Sequence, residues 1–469
     1  MFKPKRGSDI AVRMYCQGFG DCFLVAVRDG RAVKHLVIDC GLHRSCKDKE
    51  ERMKEVVASI REDTNGMLGA LAITHEHYDH VMGFQFAKDE WEKFDKIDAV
   101  WLGWAGNEDD SDVKRIRQHG KDALKVANLA LNQMPAFSLR REEIESVFAA
   151  AGEEVFQAHS LGIKLAKDKG ATVEFFEPMG TPSEPRDSSL PAVPLPKPVL
   201  DFGDLKLVVL GPPRGKLLAR MEVSKEMFLK AQENLASMAS FLGLDAPPST
   251  DYLNQLRDAL GLPKPGDDQD KSQPFDSQFR FTTTDPRWDL MSPAERTHVR
   301  YRSESWRTID DAWAADAADL ALNVDNITNN TSLAFALVEK SGKAYLFVGD
   351  AQIGNWHSWG GKTYKIGGQD VGFDQLLGNV AFYKVGHHAS HNATMKSALL
   401  KMPSNGLVSM VTVETGFYKS IPKAPLLEEL GRRGPVQRMD EAGSAQPPFV
   451  ASSTISQWTK RPLYVEVHL

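Results

Sequence analysis

The stretch ITHEHYDH at residues 73–80 decides the fold of this 469-residue chain. It continues a short apolar run, which is typical of a buried strand that ends where polar residues begin. A loop after such a strand end can direct His75 and His77 to one point. The same loop then brings Asp79 and His80 to a neighbouring point. Imidazole nitrogens and carboxylate oxygens bind zinc, manganese or iron, so the segment predicts a metal site.

The order H-x-H-x-D-H after an apolar strand resembles the signature of the metallo-β-lactamase fold. The resemblance implies an α/β fold, an αββα sandwich with helical insertions. In that fold two mixed sheets pack face to face, helices cover the outside, and the metal site lies at one edge of the sheets. The resemblance further implies two divalent metal ions, with zinc as the first choice and manganese as the alternative.

Other segments narrow the resemblance to one branch of this fold. That branch is the soluble hydrolase domain attached to the bacterial competence DNA-uptake channel, together with its stand-alone relatives. The similar segments are GFGD at 18–21, DCG at 39–41, NTSL at 330–333, LFVGDA at 346–351, KVGHHAS at 384–390 and RMDEAG at 438–443. The resemblance covers roughly residues 10–104, 171–213 and 326–469, and no channel segments are present.

The resemblance assigns metal ligands in both halves of the chain. Asp350 matches the aspartate that bridges both ions, because each of its two oxygens can reach one metal. The last histidine ligand is either His387 or His388, and His387 is preferred because it comes first after a predicted strand. Lys384, at the end of that strand, is interpreted as a surface or structural residue. The predicted ligands are His75, His77, Asp79, His80, Asp350 and His387.

Further polar residues beside these motifs have predicted roles. The candidate catalytic residues are Asp79, His388 and His391, the candidate substrate-binding residues are Ser390 and Asn392, and the structural residues expected near the site are Asp39 and Asp21. Asp79 is a ligand first and a proton acceptor second. The two histidines are interpreted as donors to a leaving oxygen, with orientation of the ligand histidine as the alternative role.

Two positions depart from the pattern of the fold. Ile421 stands where the related segment often has a histidine before the proline, and Gly211 is the other position. Many of its enzymes have another histidine between the first motif and the bridging aspartate, but Gly211 stands at the corresponding position here. His159, in a predicted helix, is a weak substitute. One metal is therefore expected to be held by His75, His77 and Asp350 with water or substrate. Fewer ligands imply either weaker binding of that metal or an open coordination position of the kind that catalysis needs.

Composition excludes some classes of function. The chain has 42% hydrophobic and 26% charged residues, which is ordinary for a soluble globular protein. Its net charge of −6 argues against a broad basic footprint for duplex DNA, although a local basic groove stays open. There is no run of about 18 apolar residues that would predict a membrane span, and no signal peptide pattern. A cytoplasmic protein is expected.

We expect one metallo-β-lactamase-fold domain over residues 1–469, with a helical insertion at 105–170 and a helical or loop insertion at 214–325. The predicted activity is metal-dependent hydrolysis of a phosphodiester, in nucleic acid or a small molecule, by a water shared between two metals. One alternative is a small-molecule hydrolase acting on a cyclic nucleotide, lactone or thioester. Another is an effector subunit that a partner protein controls through the helical insertions.

Overall fold

The computed structural model describes residues 1–118, 121, 152–178, 199–214, 325–418 and 421–469. The strands in those ranges are β1 (Ile10–Tyr15), β2 (Phe23–Asp29), β3 (Ala32–Ile38), β4 (Met67–Leu68), β5 (Ala70–Ile73), β6 (Lys96–Ile97), β7 (Ala99–Gly103), β8 (Thr172–Phe176), β9 (Val199–Phe202), β10 (Leu205–Gly211), β11 (Ala334–Val338), β12 (Ala344–Phe347), β13 (Thr363–Ile366), β14 (Gln369–Gly372), β15 (Val380–Lys384), β16 (Val408–Val411), β17 (Val436–Arg438), β18 (Val450–Ala451) and β19 (Tyr464–His468). The α-helices that do not border an undescribed stretch are α1 (Lys49–Asp63), α2 (Tyr78–Val81), α3 (Gly83–Phe86), α4 (Lys88–Trp91), α5 (Glu153–Asp168), α6 (Ile353–Trp359), α7 (Phe373–Gly378), α8 (Lys396–Lys401) and α9 (Ala424–Arg433).

Most of these strands form two large mixed sheets. The first has the order β18-β19-β1-β2-β3-β5-β7-β8, and the second has the order β17-β16-β15-β12-β11-β10-β9. In the first sheet β3, β5, β7 and β8 are parallel neighbours. In the second sheet β12, β15, β16 and β17 are parallel neighbours. Because the carboxyl ends of parallel neighbours lie at one edge of a sheet, the residues that follow these strands come together there.

Apolar side chains on both faces of the strands bury the sheets inside a four-layer sandwich. In β1, Ile10, Val12 and Met14 belong to the core between the two sheets, whereas Ala11 and Tyr15 belong to the core under α1. A second helical layer, which includes α6, α7, α8 and α9, packs against the outer face of the second sheet. Strands that are buried on both faces carry nearly continuous apolar runs, as β1 does. The predicted αββα sandwich is confirmed.

The chain divides into two compact units. One comprises residues 1–114, 149–243 and 326–469, and the other comprises residues 115–148 and 244–325. The first unit contains both sheets and α5, which lies within the insertion predicted at 105–170 and packs in the core on the outer face of the first sheet. Most of the insertion predicted at 214–325 lies outside the described residues, so the predicted domain organisation stays a prediction. None of the described helices is long and apolar enough to cross a membrane.

Candidate metal centre

Glycines in two loops let the backbone of the first motif approach the sheet closely. A Cβ atom at Gly41 would lie 2.3 Å from the carbonyl carbon of Asp79, and one at Gly20 would lie 2.8 Å from the Asp79 oxygen. The same approach allows the amide of Asp21 to donate to the Asp79 oxygen at 2.9 Å. These contacts explain Gly20 of GFGD and Gly41 of DCG, because any side chain there would displace the loop that carries Asp79 and His80.

Two histidines of the motif form the first pair of converging ligand atoms. Nε2 of His75 lies 3.1 Å from Nδ1 of His77, and both side chains are buried. Burial, together with the nearby His80 and His77, holds the pKa of His75 well below its ordinary value, and burial lowers the pKa of His77 to about 4. Both rings are therefore neutral at neutral pH, which is the state that binds a metal.

Four further side chains converge beside this pair. Nε2 of His388 lies 2.9 Å from Oδ2 of Asp79 and 3.4 Å from Oδ2 of Asp350. Nε2 of His80 lies 3.3 Å from the same oxygen of Asp350. His75, His80 and Asp350 offer ligand atoms that all lie within 4.8 Å of one another. One carboxylate oxygen thus faces ligand nitrogens from both sheets.

The carboxylates of this cluster dominate its electrostatics. Burial by itself disfavours a charged His80, but Asp350, Asp21 and Asp39 outweigh it and raise the pKa of His80 well above its ordinary value. Burial also disfavours a charged Asp350, but His80, His388 and Lys384 outweigh it and hold the pKa of Asp350 well below its usual range. In the absence of a metal, protons therefore occupy His80 and His388, so a cation that bound there would release protons and would bind more weakly as the pH falls.

A layer of outer contacts holds Nδ1 of His80 and of His388. Oδ1 of Asp39 accepts from the Thr74 amide at 2.7 Å, and Oδ2 accepts from the Thr74 hydroxyl at 2.7 Å and from Nδ1 of His80 at 2.8 Å. Nδ1 of His388 donates to the Thr412 carbonyl at 2.6 Å. With Nδ1 protonated on both rings, the Nε2 lone pairs are directed to the cluster, as in many metal sites.

Asp21, His80 and His388 form another group of potential ligands. In this group Asp21 is near the Nδ1 atoms of the two histidines, on the opposite side of each ring from Nε2. Its distances of 3.9 and 4.0 Å join the Asp21 carboxylate to the Nδ1 atoms of His80 and His388. Those atoms already donate to Asp39 and to Thr412. Asp21 is thus an outer partner of the cluster rather than one of its converging ligands.

The donor set fits a divalent transition metal. Imidazole nitrogens with carboxylate oxygens suit zinc and manganese among other ions. Nε2 of His80 is buried and has no hydrogen-bond partner among the residues that the structure describes. A buried polar atom of this kind ordinarily has a partner, and a cation at this position would supply one. The cluster therefore has the composition and the geometry of a metal centre.

Residues 17–131 match the family model of the metallo-beta-lactamase superfamily. The matched segment includes the whole ITHEHYDH motif. The superfamily consists largely of hydrolytic metalloenzymes, so the match together with the cluster suggests a metal-dependent hydrolase. A search of the curated proteins found no match. Asp350 and His388 lie outside the matched segment, and the fold brings them to it.

The two adjacent histidines of the KVGHHAS segment have different surroundings. The amide of His387 donates to Oδ1 of Asp350 at 3.1 Å, and its Nδ1 lies 2.7 Å from the Ser390 hydroxyl. His388, rather than His387, presents Nε2 to Asp79 and Asp350. The backbone is left-handed at three successive positions, with φ of 42° at His387, 50° at His388 and 61° at Ala389. Such conformations are rare outside glycine and cluster at functional sites.

The remaining predicted site residues lie on the same loop. The hydroxyl of Ser390 donates to Oδ1 of Asn392 at 2.9 Å, and both side chains are buried. His391 is half-buried and belongs to neither group of converging ligand atoms among the described residues. Asn329 was not predicted, and its Nδ2 lies 3.5 Å from Nε2 of His387. No local pattern marks Asn329, because its neighbour in the site is distant in the chain.

The structure explains why glycine stands at position 211, where enzymes of the metallo-β-lactamase fold often have another histidine. A Cβ atom at Gly211 would lie 2.6 Å from Oδ1 of Asn355 and 3.3 Å from Nε1 of Trp359. Two side chains of α6 therefore occupy the space that a larger residue would need. His159, the considered substitute, lies 3.4 Å from Glu76 through Nδ1 and belongs to neither converging group.

Proposed function

We propose that this protein is a metal-dependent phosphodiesterase with a binuclear centre. The observation that carries the proposal is the position of Asp350, whose Oδ2 lies 3.3 Å from His80 and 3.4 Å from His388 beside the converging His75–His77 pair. A ligand oxygen of Asp350 also lies within 4.8 Å of a ligand nitrogen of His75, so this carboxylate is near both sets of candidate ligands, as a bridge between two cations would have to be.

The ligand assignment follows from these contacts. His75, His77 and Asp350 would hold one cation, and Asp79, His80, His388 and Asp350 would hold the other. We thus assign His388 to the position that the sequence analysis gave to His387. A pair of divalent cations supplies a water of lowered pKa and stabilises charge on phosphoryl oxygens. Asp39 and the Thr412 carbonyl hold Nδ1 of His80 and His388, so that both rings keep Nε2 on the metal side.

Neutral hydrogen-bonding groups beside the centre favour a phosphoryl substrate over an apolar acyl substrate. His387, Ser390, Asn392 and Asn329 form one connected group next to Asp350. Hydroxyl, amide and imidazole groups can bind phosphoryl oxygens without adding charge. An apolar lactone or thioester chain would offer no hydrogen-bond acceptor to this group, whereas phosphoryl oxygens would.

Aromatic rings on the other side of the centre favour a substrate that carries a nucleobase. Phe19 contacts His388 with ring centroids 4.1 Å apart, and Phe417 stacks on Phe19 at an interplanar angle of 21°. His43 bonds to the Tyr418 hydroxyl at 2.9 Å. Phe417 and Tyr418 are half-buried, so part of each ring is accessible at the rim of the centre. Bases stack on such rings without sequence preference.

The reporter bis(p-nitrophenyl) phosphate tests the proposed activity. Wild-type protein supplied with Zn²⁺ or Mn²⁺ is expected to hydrolyse it, and a chelator is expected to abolish the reaction. A lactone, a thioester and p-nitrophenyl acetate serve as comparison substrates. Faster turnover of any of these, with no phosphodiester hydrolysis, would contradict the proposal. For an active protein, the salt dependence of KM separates a polynucleotide substrate from a small phosphodiester, because only the polynucleotide loses affinity steeply.

Truncation of the rim aromatics is expected to affect only substrates that carry a base. Phe417→Ala and Tyr418→Ala each remove a stacking surface worth about 1–3 kcal/mol per base, which corresponds to a rise in KM of about 5- to 150-fold. The measurement compares thymidine 5′-(p-nitrophenyl phosphate) with methyl p-nitrophenyl phosphate. Phe175→Ala, a half-buried ring on β8, is the control. Equal changes in KM for both substrates would exclude base stacking at this rim.

A further inference from the structure

A buried ion pair lies behind the metal-facing atoms of the centre. Lys384 ends β15 and is 2% exposed, and its partner Asp21 is 1% exposed. The Lys384 ammonium also donates to the Gly349 carbonyl at 3.0 Å and to Oδ1 of Asp350 at 3.5 Å. An ammonium group has three hydrogens, so each of them has an acceptor here. Lys384 is thus committed to three fixed contacts rather than being a mobile surface residue.

These contacts distinguish the two oxygens of Asp350. Oδ1 accepts from Lys384 and from the His387 amide at 3.1 Å. Oδ2 faces Nε2 of His80 and of His388. This arrangement differs from the expectation that each oxygen would reach one metal. Oδ1 is held by donors of the protein, and Oδ2 alone faces the positions that the cations would take.

We propose that Lys384 is a positioning residue, which holds Oδ1 of Asp350 and so leaves Oδ2 directed to the positions that the cations would take. The inference rests on the metal centre of the proposed function, but not on its phosphodiester chemistry. Asp21 has a supporting role, since it pairs with Lys384 and accepts from the Thr412 hydroxyl. The pair therefore links Asp350 to Thr412, whose carbonyl accepts from His388.

The charges of the cluster agree with this role. Four carboxylates surround the centre: those of Asp21, Asp39 and Asp350 are buried, and that of Asp79 is half-buried. Two divalent cations alone would only neutralise them. The ammonium of Lys384 leaves one positive charge in excess, which matches an anionic phosphodiester or a hydroxide. Buried charges persist only when they are paired in this way.

The test must separate positioning from simple loss of a buried ion pair. Lys384→Met leaves the Asp21 carboxylate buried without its partner, which by itself destabilises a fold. The double variant Lys384→Met/Asp21→Asn removes both charges, and the new amide can still accept from Thr412. Arg13→Met is the matched control, because Arg13 is a buried cation paired with Asp63 and Glu466 and contacts none of the centre's residues.

The experiment measures Zn²⁺ affinity by chelator competition and the absorption spectrum of the Co²⁺-loaded protein, with thermal unfolding of each metal-free variant. In the double variant we expect a melting temperature near that of the wild type. The Kd of the more weakly held ion should rise about 10- to 100-fold, as for other outer partners of metal ligands, and the cobalt spectrum should change. Arg13→Met should melt at a lower temperature with unchanged affinity and spectrum.

A double variant with wild-type affinity and an unchanged cobalt spectrum would overturn the inference and leave Lys384 a structural residue. A wild-type protein that takes up no metal would overturn the inference together with the proposed function. A wild-type protein that binds both ions but hydrolyses no phosphodiester would overturn the proposed function alone. In that case the affinity and spectrum of the double variant would still support or refute the role of Lys384.

Discussion

Replacement of Asp350 by asparagine is expected to lower kcat/KM for a phosphodiester by at least roughly 10³-fold. This loss is larger than the about 10- to 100-fold loss that follows removal of a residue that only contacts a metal ligand. The amide is the same size as the carboxylate and can still accept from the His387 amide, so the fold should persist. It loses the negative charge, however, and would turn an NH₂ group toward His80 and His388, where Oδ2 now lies. That group repels a cation, so the metal content should fall as well.

Elemental analysis, circular dichroism and steady-state kinetics on the same preparation check this result. Asp374→Asn is the matched control, because Asp374 is an exposed aspartate paired with Lys401 on the surface. It should leave the metal content and the kinetics unchanged. An Asp350→Asn protein that keeps both ions and more than about a tenth of the wild-type kcat/KM would show that Asp350 does not bridge, since transition-state stabilisation lost would then be under 1.4 kcal/mol.

Alanine substitutions of the adjacent residues His387 and His388 should have opposite effects on metal content. His388→Ala removes an Nε2 atom that lies 2.9 Å from Asp79 and 3.4 Å from Asp350, so one of two ions should be lost and kcat should fall by roughly 10³-fold or more. His387→Ala keeps all the converging ligand atoms and removes only a ring beside Ser390 and Asn329. It should keep both ions and raise KM by about 10-fold, the cost of one hydrogen bond to a charged group.

Metal content after dialysis, measured with KM and kcat for the reporter, separates the two variants. The two variants differ only in which of the adjacent imidazole rings is removed, so each is the control for the other. If His387→Ala lost an ion while His388→Ala kept both, the ligand would be His387, as the sequence analysis preferred. Loss of an ion from both variants would mean that the left-handed loop, rather than one ring, forms the site.

The first motif and Asp350 could be located from the sequence because both follow apolar strands. Residues that follow parallel strands meet at one edge of a sheet. An apolar strand followed by a polar loop is therefore enough to predict that the loop lies at that edge. The choice between His387 and His388 could not be made in that way. The alternation of side chains along β15 does not continue into a loop with three successive left-handed residues, so the order of the histidines carries no information on their direction.

The buried position of Lys384 could not be predicted from the sequence, for a different reason. A charged residue at the end of the apolar strand VAFYK is equally compatible with the surface and with a buried pair. Its partner Asp21 lies near the other end of the chain, and only the packing of the two sheets joins them. Gly211 is similar, because the side chains that fill its space come from α6.

The metal content of the wild-type protein tests the central claim most directly. Metal-free protein is titrated with Zn²⁺, and the bound ion is counted after gel filtration, with His75→Ala/Asp79→Ala as the reference. We expect two ions per wild-type chain and none held tightly by the double variant, because that variant removes one ligand from each cation position. Equal metal content in the two proteins would contradict a centre built on Asp350 and the ITHEHYDH motif.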